Sequence, residues 1–124
     1  MSQPNPVRWF EIYVQDMDRA KRFYETVLDT SLTRLGSGGP EMWAFPSARG
    51  EYGVGGTLVK MDGVRSGGNS TLVYFACDEC SVEAGRIDGA GGTVQREKMS
   101  IGEYGYVVLA LDTEGNLIGL HSMR

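Results

Sequence analysis

The sequence predicts an α+β fold built from two tandem βαβββ modules. Three observations carry that expectation. The order strand, helix, three strands occurs twice, offset by about 60 residues, as an internal repeat would be. The stretch from Val7 to Leu28, VRWFEIYVQDMDRAKRFYETVL, changes from a period of two to a helical period. Glycine supplies 18 of the 124 residues, about twice its ordinary share of roughly 7%, and clusters between the candidate strands as turn punctuation.

In the first strand Phe10, Ile12 and Val14 alternate with Trp9, Glu11 and Tyr13. The first set is plain aliphatic or aromatic core. The second combines an indole, a carboxylate and a phenol, which are costly to bury together without partners and so suggest a cavity wall. In the helix that follows, Met17, Ala20, Phe23, Tyr24, Val27 and Leu28 form one apolar stripe, with Asp16 or Asp18 as N-cap.

Three strands are expected next: SLTRLG, then EMWAFPS after the SGGP turn, then YGVGGTLVK after a turn at Arg49 and Gly50. The polar, glycine-rich run Met61 to Ser70 reads as a linker, and the pattern restarts at Thr71. TLVYFACD is a strand and CSVEAGRIDGAGG a short helix closed by glycines. TVQREKM, YGYVVLALD and NLIGLHSM are three further strands, the last two joined by the DTEGN turn with Gly115 in left-handed geometry. The chain is thus expected to be one domain over 1–124, with module 1 at about 5–62, a linker at about 63–70 and module 2 at about 71–124.

A hydrophobic fraction of 41% and a charged fraction of 23% are ordinary for a globular domain. The net charge of −4 argues against a phosphate-tracking surface, so nucleic acid is not expected as a partner. No apolar run approaches the ~20 residues needed to span a bilayer, and MSQPNPVRW has no apolar signal core. No membrane association is expected, and the expected compartment is the cytoplasm.

Extending the first strand's alternation to the second half places Val73, Phe75 and Cys77 toward the helix, and Leu72, Tyr74 and Ala76 toward the cavity. In the last strand Ile118 and Leu120 are core, and Leu117, Gly119 and His121 face the cavity. The expected cleft is lined by Trp9, Glu11, Tyr13, Leu72, Tyr74, Gly119 and His121, with Trp43 or Phe45 from the third strand. Glu11 and His121 are the candidates for chemistry. Side by side they would make a general acid–base pair, two ligands of a metal site, or a structural hydrogen bond. Trp9, Tyr13, Trp43, Tyr74, Tyr104 and Tyr106 either stack on a planar ligand or complete a small core.

Cys77 and Cys80 form C-x-x-C at a strand-to-helix junction, the place of a redox pair in thioredoxin-like proteins, but Cys77 falls on the core face, where a thiol acts as a small apolar group. The polar run Arg96 to Tyr104, REKMSIGEY, is either a lid over the cleft or a long hairpin. GVGG leads into a strand, not a helix, and so is not a phosphate loop.

The segments FEIYVQDMDRAKRFYETVL, CDECSVEAGRIDGAGG and LDTEGNLIGLHS, with their spacing, resemble the vicinal oxygen chelate superfamily, which includes glyoxalase I, extradiol dioxygenases and bleomycin-binding proteins. The resemblance covers nearly the whole chain. It implies paired modules curling into an open barrel-like sheet around a cleft, commonly in a homodimer. It also implies a divalent metal held by a His or Gln on the first strand, a Glu on the fourth, a His on the fifth and a Glu on the eighth. Those positions fall on Trp9, on one of Gly55, Gly56 and Thr57, on Leu72 and on Gly119. Indole, isobutyl and hydrogen do not coordinate metals.

The sequence therefore leads to a metal-free, glyoxalase/bleomycin-resistance-like protein that binds a small, partly aromatic or hydrophobic molecule. No cofactor is expected; if a metal is present it is a divalent ion such as zinc, nickel, manganese or iron. Two alternatives stay open. One is a lactoylglutathione-lyase-related enzyme with a non-standard metal site or with Glu11 as general base. The other is a dimeric scaffold without ligand.

Overall fold

A computed structural model describes residues 5–36, 38–48 and 50–124. Ser37 and Arg49, each part of a predicted turn, and the first four residues lie outside the described residues. The predicted alternation is realised in β1 (Trp9–Tyr13), where Ile12 is buried while Trp9 and Glu11 are exposed. Helix α1 (Met17–Leu28) begins at Asp16, whose extended backbone and side chain cap it by accepting the Arg19 N–H at 3.0 Å. Its stripe of Met17, Ala20, Phe23, Tyr24 and Val27 is buried. Asp29 ends the helix in left-handed geometry, φ 51°, and its N–H donates to the Glu25 carbonyl.

Strands β2 (Thr33–Leu35), β3 (Glu41–Ala44) and β4 (Gly55–Lys60) join β1 in a sheet of order β1-β4-β3-β2, with β1 parallel to β4 and the other pairs antiparallel. Module 2 repeats the plan with β5 (Tyr74–Ala76), α2 (Cys80–Ile87), β6 (Thr93–Ser100), β7 (Tyr106–Leu111) and β8 (Leu117–Ser122). Its order is β5-β8-β7-β6, again with the β5–β8 pair parallel. Neither sheet closes on itself. β3 covers only the EMWA part of the EMWAFPS segment, and Pro46, which has no N–H, does not extend the ladder.

The two modules match in register as well as in order. The Val14 N–H donates to the Val59 carbonyl at 2.9 Å, and the Cys77 N–H donates to the His121 carbonyl at 2.7 Å. Glu11 lies opposite Thr57, and Tyr74 opposite Gly119. Trp9 therefore corresponds to Leu72, Glu11 to Tyr74, Tyr13 to Ala76, and Thr57 to Gly119. Side-chain identity has been lost between the halves while the hydrogen-bond ladder has kept its phase.

Both sheets turn their apolar faces to one continuous core. Ile12, Tyr24 and Leu58 from module 1 belong to the same cluster as Ile87, Val108 and Leu120 from module 2. At its centre the rings of Phe10, Tyr24, Phe45 and Phe75 lie 5.4–6.1 Å apart, within the range of favourable aromatic packing.

The most extensive polar tie between the modules among the described residues is the DTEGN turn, Asp112 to Asn116. Glu114 is buried, and its Oε1 accepts the Gln15 and Asp16 N–H groups at 2.8 and 2.9 Å. Arg19 donates to both carboxylate oxygens, at 2.7 and 3.0 Å. Asp112 accepts the Tyr24 hydroxyl at 2.5 Å, and the Asn116 amide donates to the Tyr13 carbonyl at 2.9 Å. A turn of module 2 thus satisfies the two N–H groups that lead into α1 and completes the end of β1. Burial pushes the Glu114 carboxyl up, but the Arg19 guanidinium and the Asp16 and Gln15 N–H groups outweigh it and bring it down to about 2.

A carboxyl depressed in the folded state stabilises the fold above its unfolded value and loses that contribution as pH falls through the folded one. The Glu114 contribution, on the order of 3 kcal/mol, should therefore be present near neutrality and disappear between about pH 4.5 and pH 2. Urea denaturation should show Glu114→Gln less stable by about that amount at pH 7, with the gap narrowing toward pH 2. A gap that does not change with pH would contradict this assignment.

Candidate functional site

Two cavities meet at Tyr74. The larger, about 820 Å³, has Tyr74, Ala76, Val107, Leu109 and His121 from the outward face of the second sheet on one side. Phe10, Phe45 and Phe75 form its aromatic wall, and Tyr52 to Val54 of the β3–β4 loop and Met99 and Ile101 near the end of β6 form its rim. The smaller, about 660 Å³, is lined by Trp9, Glu11, Tyr13, Leu72 and Tyr74 with residues of the linker. Phe10, Val54, Val73 and Tyr74 border both. Trp9 and Tyr74 leave 46% and 48% of their surface exposed, so both rings are open to a ligand.

The structure separates Glu11 from His121. Glu11 borders the smaller cavity and accepts the Tyr13 hydroxyl at 2.7 Å, and that hydrogen bond to the carboxylate raises the Tyr13 pKa. His121 borders the larger cavity, and its Nε2 lies 2.6 Å from the Tyr104 carbonyl. A carbonyl only accepts, so Nε2 carries the proton and Nδ1 is the free nitrogen. No hydrogen bond or ion pair joins the two side chains among the described residues, so they form neither an acid–base pair nor a structural hydrogen bond with each other. The same contact fixes the REKMSIGEY segment: β6 runs to Ser100, a 3-10 turn follows at Gly102–Tyr104, and His121 anchors that turn.

Trp43 is also corrected. Across the ladder it faces Leu58, on the core side of the sheet, while Met42 and Ala44 take the cleft side. The Lys21 ammonium sits 3.3 Å from the centre of its ring, its indole N–H donates to Glu41 at 3.0 Å, and it lines neither cavity. Phe45, the alternative from the same stretch, is buried and does border the larger cavity. Gly119 lines neither, because the Tyr74 ring occupies the space a side chain there would need.

Cys77 and Cys80 are free thiols rather than a disulfide. Burial first, then the Glu83 carboxylate, pushes the Cys77 thiol up to about 12. A thiol protonated throughout the physiological range is the opposite of the activated cysteine a redox pair needs.

Glu83 escaped the sequence reading altogether. It borders the larger cavity, and its Oε1 is shielded from solvent with no hydrogen-bond partner. The signal was available: Glu83 lies three residues after buried Cys80 and four before buried Ile87, on the inward stripe of α2.

The family profile of the Glyoxalase/Bleomycin resistance protein/Dioxygenase superfamily matches residues 7–120. The chain belongs to that superfamily. No curated protein matches it in sequence. Among solved structures, it is similar to a mutant of glyoxalase I from Zea mays, with a TM-score of 0.74, 19% identity, and coverage of 96% of this chain but 46% of the maize one. A glyoxalase/bleomycin resistance protein from Albidiferax ferrireducens gives 0.70 at 16% identity, covering 97% of this chain and 100% of the other. TnmS3, an antibiotic binding protein from a Streptomyces species, gives 0.64 at 21% identity over 100% and 99%.

Carried through the repeat, the four metal positions implied by the superfamily resemblance put the second at the counterpart of Gly119. Thr57 corresponds to Gly119, so the set is Trp9, Thr57, Leu72 and Gly119. It offers one neutral hydroxyl and no imidazole, carboxylate or thiolate, a donor set that does not fit a divalent ion. Elsewhere among the described residues no three His, Cys, Asp or Glu side chains gather as ligands.

The overlap between Gly119 and Tyr74 gives a direct test of this geometry. Gly119→Ala should cost about 1–3 kcal/mol in urea denaturation, because the added methyl must displace the ring. In a Tyr74→Ala background the same change should cost much less. Equal costs in the two backgrounds would show that the ring does not rest on Gly119.

Proposed function

We propose that this protein binds a small, partly aromatic or hydrophobic molecule in its cleft without a metal ion. The observation that carries the reading is the larger cavity, about 820 Å³ with Phe10, Phe45, Phe75, Tyr52 and Tyr74 on its walls. That volume suits a drug-sized ligand, and rings supply contact area at little entropic cost. The donor-poor set at Trp9, Thr57, Leu72 and Gly119 supports the metal-free part. The fold it shares with an antibiotic binding protein supports the binding part.

The working unit in this reading is a homodimer. Val7, Trp9, Leu35, Val54 and Tyr74 are exposed apolar side chains, and a second copy would cover part of them. A monomer mass in sedimentation at micromolar concentration would contradict the dimer. The reading also puts the protein in the cytoplasm, where two free thiols stay reduced. Recovery of an untagged copy outside the cytosolic fraction would contradict that.

Binding is tested with phenylnaphthylamine, a neutral probe whose fluorescence rises in apolar surroundings. Saturable binding to the wild type is expected, weakened about tenfold by Tyr74→Ala, whose ring borders both cavities. Absence of saturable binding, or full affinity in a folded Tyr74→Ala variant, would overturn the reading.

A further inference from the structure

We infer that the natural ligand carries a protonated amine or a comparable cationic N–H group, and that Glu83 receives it. This inference rests on the small-molecule reading above and deepens it by naming the ligand's charge. Glu83 is the only acidic residue among those lining the larger cavity, and no Lys or Arg lines that cavity among the described residues. Its Oε1 is shut off from water and has no hydrogen-bond partner. A shielded carboxylate oxygen without a partner is costly, and the Cys77 thiol, which hydrogen-bonds the same carboxylate, is a weak neutral donor, so the site still favours a positive donor.

The protein's own cations near α2 are engaged elsewhere. Arg86, one turn along the helix, donates to the Val27 carbonyl at 3.0 Å. Lys98 is paired with Glu79, and Arg124 with Asp78 at 2.7 Å. The Cys77 thiol is held protonated by burial and by Glu83 itself, so it does not compete as an anion, and as a neutral donor it leaves the carboxylate's charge unbalanced. The same cavity carries the rings of Phe10, Phe45 and Phe75 on its wall. Rings of this kind add cation–π attraction to the carboxylate's pull and disfavour anions.

The test compares three probes of one shape: naphthylmethylammonium, naphthylmethanol and naphthoate, titrated calorimetrically into the wild type and Glu83→Gln. The ammonium should bind the wild type about tenfold more tightly than the alcohol, with naphthoate weakest, because a charge-assisted hydrogen bond in a desolvated site is worth about that factor. Glu83→Gln should remove the preference for the ammonium over the alcohol.

Equal binding of ammonium and alcohol to the wild type would overturn the inference while leaving the small-molecule reading intact. So would a preference that survives in Glu83→Gln, or tighter binding of naphthoate. If no probe binds, the small-molecule reading falls and the inference with it. The wild-type comparison decides the matter even if the variant does not fold.

Discussion

The structure depends on a carboxylate that belongs to one half of the chain and serves the other. Glu114 takes the two N–H groups at the entry to α1 and the fork of Arg19, while Asp112 beside it holds the hydroxyl of Tyr24. Aligned donors at a helix N-terminus need an acceptor, and here it comes from the β7–β8 turn. This clamp fixes where module 1 stands on module 2. It thereby fixes where the aromatic face of β1 stands relative to β5 and β8, and so which residues can line a common cleft.

With that placement set, the chemistry of the cleft follows from the residues at four equivalent positions. The ladder keeps Trp9, Thr57, Leu72 and Gly119 in equivalent places, and the residues there supply an indole, one neutral hydroxyl, a branched alkyl group and bare space. Tyr74 uses the space left at Gly119 and lies between the two cavities. Glycine at this position is therefore a steric requirement of the ring. The result is a wall suited to surface contact rather than to holding a small ion, with Glu83 and His121 as its polar points.

The fold was largely legible in the sequence because it is written locally. Alternation from Trp9 to Val14, the stripe from Met17 to Val27 and the glycine turns each depend on neighbours a few residues apart. What was not legible depends on distance or phase. Nothing local says that Glu114 will take the N–H groups leading into α1, nor that Glu11 and His121 will face different cavities. Trp43 shows the phase problem: a four-residue strand bounded by proline and glycine turns carries too little alternation to tell its two faces apart. Glu83 is a different case. A carboxylate on the buried stripe of a short helix is visible in the sequence, and its position there is the kind of local inconsistency that marks a site.

The claim that most separates this protein from the metal-dependent members of its superfamily is that its cleft works without an ion. Inductively coupled plasma mass spectrometry of the untagged protein, purified without chelators, tests it most directly. The account predicts zinc, nickel, manganese and iron all far below one atom per chain, and no rise in melting temperature when each is added back. Near-stoichiometric content of one of these metals, with a concentration-dependent rise in melting temperature on its re-addition, would contradict it.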